Sequence, residues 1–365
     1  MNHEISANRQ TASQHSNKKN IKRLKILGGV FTLFGIALFL YFIYSVGVAE
    51  ILAGVGKIGF GGFAIILLLY LVRLIIRSAA WSLSVNDPYR LSVRHSLPAV
   101  IIGEALSSVL PLGILISGTA KAVAIRKRIP LVAGLASVAT ENLFYSITTG
   151  LFICLGAFAF LRRFELPETY IVFIDLLILL IILSMMFGIL MVVRQWHWMS
   201  GICNWLFRKG VLKSILERGR VQVRLFEDLI FGFYRKYPRR FFPITILEVL
   251  FHFLGIVEVW FILSRLSSVI PEISTAFYLE TISRLITILF KLVPFVVGVD
   301  EAGSGFITET LAIGAGIGVT LAIVRKGRII VWAAVGMFLL AKRGLSIREI
   351  SGIGESPDLA ISQEN

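Results

Sequence analysis

The chain has 365 residues, 56% of them hydrophobic and only 16% charged, with a mean hydropathy of +0.81, which excludes an ordinary soluble domain and implies a polytopic membrane protein. Its 37 Lys and Arg against 22 Asp and Glu give a formal charge of +15. That excess would suit nucleic acid if it formed one soluble face, but its distribution along the chain excludes that reading.

Residues 1–25 form a polar, basic tail. The apolar run behind them is too long, and lacks the small-residue cleavage site, for a removable signal peptide. Segments 26–48, 60–81, 129–159, 170–193, 242–264 and 314–341 each hold about the 20 mostly apolar residues that cross a hydrocarbon core of roughly 30 Å. With the N-terminus inside, the inner segments carry 25 of the Lys and Arg, while Lys57, Arg162 and Arg163 fall outside. This is the positive-inside pattern of a cytoplasmic membrane protein with both termini in the cytoplasm. Cys154 and Cys203 fall on different segments in or near the bilayer, so neither a disulfide nor a metal site is expected.

Between the second and third spans lies 97–128, "LPAVIIGEALSSVLPLGILISGTAKAVAIRKR", apolar enough to enter the membrane yet flanked on both sides by basic, inside-type sequence. Its first arm, 97–110, reaches about 21 Å as a helix, short of a full crossing. Pro111 then removes a helix hydrogen bond and Gly113 tolerates a turn. The expected form is a re-entrant hairpin dipping in from the cytoplasm, its irregular backbone shielded by protein or a water-filled cavity.

The segment 194–241 holds eleven basic residues, with Leu216, Val223, Phe226, Ile230 and Phe233 on one helical face and Arg220, Arg224 and Asp228 on another. This predicts an amphipathic cytoplasmic helix under an anionic leaflet, as a topological anchor or as a lipid sensor. Residues 276–313 then repeat the hairpin pattern: an arm, Pro294, a glycine-rich turn with Gly298 and Gly303, and a returning arm. Three crossings separate the two hairpins, so the second enters from the outside. An inverted-topology repeat follows, with the tips facing each other near the midplane.

Ionisable groups inside spans cost about 2.5–3.5 kcal/mol each on insertion scales, so those present must be partnered, hydrated or neutralised. The second hairpin carries Glu280, Arg284, Thr287 and Lys291 as a polar stripe on its first arm, then Asp300 and Glu301 at its tip. The first carries Glu104, Ser107 and Ser108 on its outgoing arm and Lys121 on its return. The following spans hold Glu141 in one copy and Arg325, Lys326 and Arg328 in the other, while the fifth span adds Glu248, His252 and Glu258. These residues are read as the binding site for a charged or zwitterionic head group, or as structural ion pairs that pin the hairpins in place. His252 reads as a satisfied interior histidine or as a proton relay with Glu248. Arg73 and Arg77 are expected to snorkel from the end of the second span to lipid phosphates, and "GAGIG" at 314–318 reads as a small-residue packing face.

The stretch "VPFVVGVDEAG" followed by "LAIGAGIGVTLAIVRKGRIIVWAAVG" resembles the lysylphosphatidylglycerol synthase transmembrane-region family, a flippase-like integral membrane domain, over roughly residues 22 to 343. The likeness rests on Pro294, Gly298, Glu301 and Arg325, and in the first copy on "VLPLGILISGTAKA" and Glu141. It departs at Gly118, Thr119, Ala120 and Lys121, where the family commonly shows an acid and then an arginine, and at Glu141-Asn142, where it usually shows Glu-Arg. The resemblance implies a domain, 26–343, that moves lipid across the bilayer. Members that make aminoacylated lipid add a soluble transferase domain. Here residues 344–365 read as a disordered cytoplasmic tail, far too short for one.

The expectation is therefore an all-α membrane protein of six spans and two hairpins, acting as a lipid translocase or polar-lipid transporter. The alternatives are an intramembrane lipid-modifying enzyme or a non-catalytic accessory subunit of a lipid-synthesis system. No H-E-x-x-H, H-x-x-x-x-D or nucleophile-elbow pattern occurs, so no catalytic residue, cofactor or metal is assigned. The expected partners are membrane lipids, anionic, aminoacylated or otherwise polar, and a separate lipid-synthesis enzyme, with no role for nucleic acid.

Overall fold

Among the described residues the chain forms eleven α-helices and one 3-10 turn, with no strand. The computed structural model describes residues 44, 48–109, 113–164, 167–208, 213–267, 271–290 and 296–345. The basic tail, nearly all of the expected span 26–48, Pro111, Lys291, Pro294 and residues 346–365 lie outside the described residues.

The helices run α1 Val48–Leu83, α2 Val93–Val109, α3 Gly113–Ala124, α4 Leu131–Arg163, α5 Glu168–Val193, α6 Trp198–Arg208 and α7 Lys213–Lys236. A 3-10 turn, Pro238–Arg240, leads into α8 Phe241–Leu266, followed by α9 Ile273–Leu289, α10 Val299–Thr310 and α11 Ala315–Lys342. Four segments are long and apolar enough to cross a membrane: Ile51–Leu83 of α1, α4, Ile171–Val193 of α5, and Pro238–Leu266 of the 3-10 turn and α8. Helix α11, with 28 residues, also has the length, but Arg325, Lys326 and Arg328 interrupt its apolar run.

Where the two hairpins are expected, the chain forms two packed helix pairs of matched size. Helices α2 and α9 have 17 residues each, and α3 and α10 have 12 each. At 1.5 Å per residue these reach about 26 Å and about 18 Å, both short of a full hydrocarbon core. Each pair then leads into a long helix, α4 or α11.

The packing carries the same correspondence. Helices α1 and α8 pack on each other, α2 packs on α11, and α9 packs on α4. Within each half α1 meets α2 as α8 meets α9, α2 meets α3 as α9 meets α10, and α3 meets α4 as α10 meets α11. Exchanging α1–α4 with α8–α11 thus maps these contacts onto themselves. Even the close approaches correspond. A Cβ at Gly336 of α11 would stand 2.7 Å from the Ile101 carbonyl oxygen on α2, and one at Gly156 of α4 would collide with Thr281 on α9. Helices in lipid gain little from apolar burial, so such glycines bring backbones together for dispersion contact.

Each half also has an apolar cluster. Ile66, Val259, Ile262, Leu279 and Leu321 join α1, α8, α9 and α11, while Leu74, Trp81, Val100, Ile125 and Val138 join α1 to α2, α4 and the chain leaving α3. Helix α5 is apolar apart from Asp175 in its span, and none of its central stretch is buried, as a lipid-facing helix should be. It packs mainly on α4. Helices α6 and α7 pack together, and Phe233 of α7 is fully buried against Ala80 of α1, Phe144 of α4 and Ile244 of α8. Glu227 of α7 accepts the Met199 amide at 2.8 Å and so satisfies an orphan donor at the start of α6. The side chains of 209–220 lie outside the described residues. Trp196, Trp198 and Trp205 remain exposed beside this pair, the placement expected at a membrane surface.

Candidate functional site

Arg73 and Arg77, one turn apart on α1, join the two halves. Both are buried, Arg73 completely. The expectation that they snorkel to lipid phosphates is corrected here. They lie near the cytoplasmic end of the expected span 60–81, but α2, α4, α8 and α9 pack around this part of α1 and each supplies a carboxylate to one of them.

Arg77 serves the first half. Its Nη1 lies 2.6 Å from Glu104 Oε1 on α2, and its Nε lies 3.1 Å from Glu141 Oε1 on α4. Lys121 of α3 stands 3.9 Å from the other oxygen of Glu141. The guanidinium also lies 4.3 Å from the ring centre of Tyr145, within cation–π range.

Arg73 serves the second half. Its Nη1 donates to Glu258 Oε2 on α8 at 3.1 Å, and its Nη2 stands 3.5 Å from Glu280 Oε1 on α9. Glu280 also holds Arg284, one turn along α9, and Arg325 of α11, each at 2.9 Å. Arg328, almost one turn beyond Arg325, pairs with Glu258. Spacings of three and four place Arg325 and Arg328, or Glu280 and Arg284, on one helical face. Removing one partner from such a buried pair costs about 3–5 kcal/mol, because the other charge stays buried without compensation.

Asp300 and Glu301 occupy the first turn of α10. Gly298, with φ of 82°, provides the left-handed turn that starts the helix, a conformation glycine adopts without steric cost. Its amide donates to Glu301 Oε2 at 2.8 Å, and the acids sit where the positive end of the helix dipole favours them. Their basic partner is Lys326 of α11, 2.7 Å from Glu301 and 3.7 Å from Asp300. Arg284, Arg325 and Lys121, expected around this tip, instead pair with Glu280 or Glu141. Gly303 lies against Ile286 of α9 and lets the two arms close together, while Gly113 opens α3. Thr287 hydrogen-bonds the Ser283 carbonyl of its own helix.

Glu248 and His252, one turn apart on α8, adjoin both groups. His252 Nε2 lies 3.0 Å from Thr149 Oγ1, and its ring stacks against Phe152 and Tyr145 with centroids 4.8 and 5.8 Å apart. Both carboxylate oxygens of Glu248 are buried and take no hydrogen bond from the described residues. A void of about 10 Å³ beside the network is lined by Tyr70, Glu104, Ser108 and Trp332. It has room for about one water. A larger cavity, about 420 Å³, lies away from it on α6 and α7 beside Asn204, Arg224 and Asp228.

The sequence names most of this cluster, Glu258, Lys326 and Arg328 among its interior charges, but not the part that Arg73 and Arg77 play in it or which groups pair with which. The signal for the two arginines is a pair of basic residues four apart inside an apolar run.

These features define a multi-pass helical membrane protein with two corresponding helix pairs and an ion-paired interior. The chain matches the lysylphosphatidylglycerol synthase TM region family over residues 25–340 and belongs to it. No curated protein and no solved structure matches the chain. Membership ties the protein to the handling of membrane phospholipid.

Proposed function

We propose that this protein is a lipid translocase of the bacterial cytoplasmic membrane, with both termini in the cytoplasm, and that it binds a charged head group between two hairpins of opposite orientation. The observation that carries the reading is the ion-pair network spanning the halves, with arginines one turn apart on α1 each serving one of them. Buried charge in a span is costly and usually marks a substrate path. Packing that survives exchange of α1–α4 with α8–α11 supports an inverted repeat, the architecture in which one unit rocks against the other around a midplane site. Ion pairs that exchange partners would let the interior open without leaving any charge stranded.

Reconstituted protein should speed the movement of fluorescent phospholipid between leaflets, and Glu301→Gln and Arg325→Ala should each slow it while remaining folded. If both variants move lipid at the parental rate, these residues do not line the path.

The close pairing of most of these charges and the small size of the adjoining void favour a second reading, in which the network only pins the hairpins in a non-transporting accessory subunit. In that case the same variants lose stability, and the parent moves no lipid.

A further inference from the structure

Charge is distributed unevenly within the network. Where α1, α8, α9 and α11 meet, four guanidinium groups, those of Arg73, Arg284, Arg325 and Arg328, share two carboxylates, Glu258 and Glu280. Asp300 and Glu301, at the start of α10, pair with Lys326. The junction therefore holds positive charge that its own carboxylates do not balance. Several of its donors also make no hydrogen bond: Arg73 Nε, Arg325 Nη1 and Arg328 Nε are buried without one to the described residues, and Arg73 Nη2 has only Glu280 at 3.5 Å. Aromatic rings cover guanidinium faces and leave their edges open, with Arg73 4.4 Å and Arg284 5.4 Å from the Phe251 ring centre and Arg328 4.1 Å from that of Tyr70.

A buried guanidinium edge without an acceptor is costly. The ligand that would relieve all of them at once carries negative charge on several oxygens, and phosphate meets guanidinium forks with matched geometry. We propose that Arg73, Arg284, Arg325 and Arg328 form a binding site for a phosphate group, supplied by the phosphodiester of a phospholipid head group. The lipid source rests on the translocase reading above, whereas the anion site rests on the geometry alone. Glu258 and Glu280 hold the arginines in place while no phosphate is bound.

The test is thermal unfolding of the full-length protein in detergent, titrated separately with short-chain phosphatidylglycerol, with diacylglycerol of the same chains, and with inorganic phosphate. Phosphatidylglycerol should raise the melting temperature saturably and diacylglycerol should not. Arg325→Gln and Arg284→Gln should each weaken the apparent affinity about tenfold, the worth of one charge-assisted hydrogen bond. Arg284, part-exposed at the edge of the cluster, keeps the test valid if Arg325→Gln does not fold. Arg162→Gln, at the far end of α4, should bind like the parent. Inorganic phosphate that displaces the lipid would support recognition of the phosphate itself. Stabilisation by inorganic phosphate without any response to the lipid would keep the anion site but overturn the lipid source. Equal stabilisation by diacylglycerol, or parental affinity in both arginine variants, would overturn the site and leave the transport assay to stand or fall separately.

Discussion

Glu280 offers the sharpest perturbation, because one fully buried carboxylate on α9 faces Arg73, Arg284 and Arg325. Glu280→Gln keeps the shape of the side chain and removes only the charge. Loss of one partner from a buried pair costs about 3–5 kcal/mol; at about 2 °C per kcal/mol for a chain of this size, the melting temperature should fall by about 6–10 °C. Intrinsic tryptophan fluorescence of the detergent-solubilised protein would follow the transition. Combining Glu280→Gln with Arg325→Gln should cost less than the sum of the single changes by about 0.5–3 kcal/mol, since the second change removes a charge that the first left unpaired. Phosphatidylglycerol or inorganic phosphate should restore part of the loss in Glu280→Gln. A fall below about 2 °C for the single variant, with additive double-variant energies, would mean that Glu280 does not compensate the arginines.

Glu248→Gln should behave differently. Its oxygens take no hydrogen bond from the described residues, so removing the charge avoids a desolvation cost, and stability should change by less than about 1 kcal/mol or rise; a loss as large as that of Glu280→Gln would contradict this. Gly336→Val should cost about 1–3 kcal/mol, because the added atoms meet the α2 backbone at Ile101 and the two helices must separate; chemical denaturation would measure it. Glu227→Ala removes the acceptor of the Met199 amide and should cost about 1 kcal/mol. Faster hydrogen exchange confined to α6, with lipid movement unchanged, is the expected result.

Much of the fold is readable from composition, because a helix needs only a continuous apolar run to be recognised as a span. Helices α4, α5 and α8 lie close to where hydropathy places them, while the first hairpin is suggested by an arm too short to cross and the second by repeating the arm, proline and glycine-rich turn of the first. The match of 17 and 12 residues between the hairpins is hidden, since few residues are shared and only backbone geometry reveals it. The partners of the interior charges are hidden for a different reason. Helical periodicity shows that Glu280 and Arg284 share a face, but it cannot say that Arg73, some two hundred residues earlier, lies beside them. Hydropathy shows that Arg73 and Arg77 lie near the end of an apolar run, but not that carboxylates on α2, α4, α8 and α9 pack against them there. Lys326 escaped notice as the partner of Asp300 and Glu301 because two arginines beside it offered equally good charge.

The claim on which the account depends is that the two hairpins enter the membrane from opposite faces. Membrane-impermeant thiol labelling tests it directly, with Cys154 and Cys203 replaced by serine and a single cysteine placed at Lys127, between α3 and α4, or at Ala312, between α10 and α11, both exposed. In intact cells the reagent should label Ala312→Cys, whereas Lys127→Cys should react only after the membrane is opened. Labelling of both positions from the same side would contradict the inverted arrangement and remove the basis for alternating access.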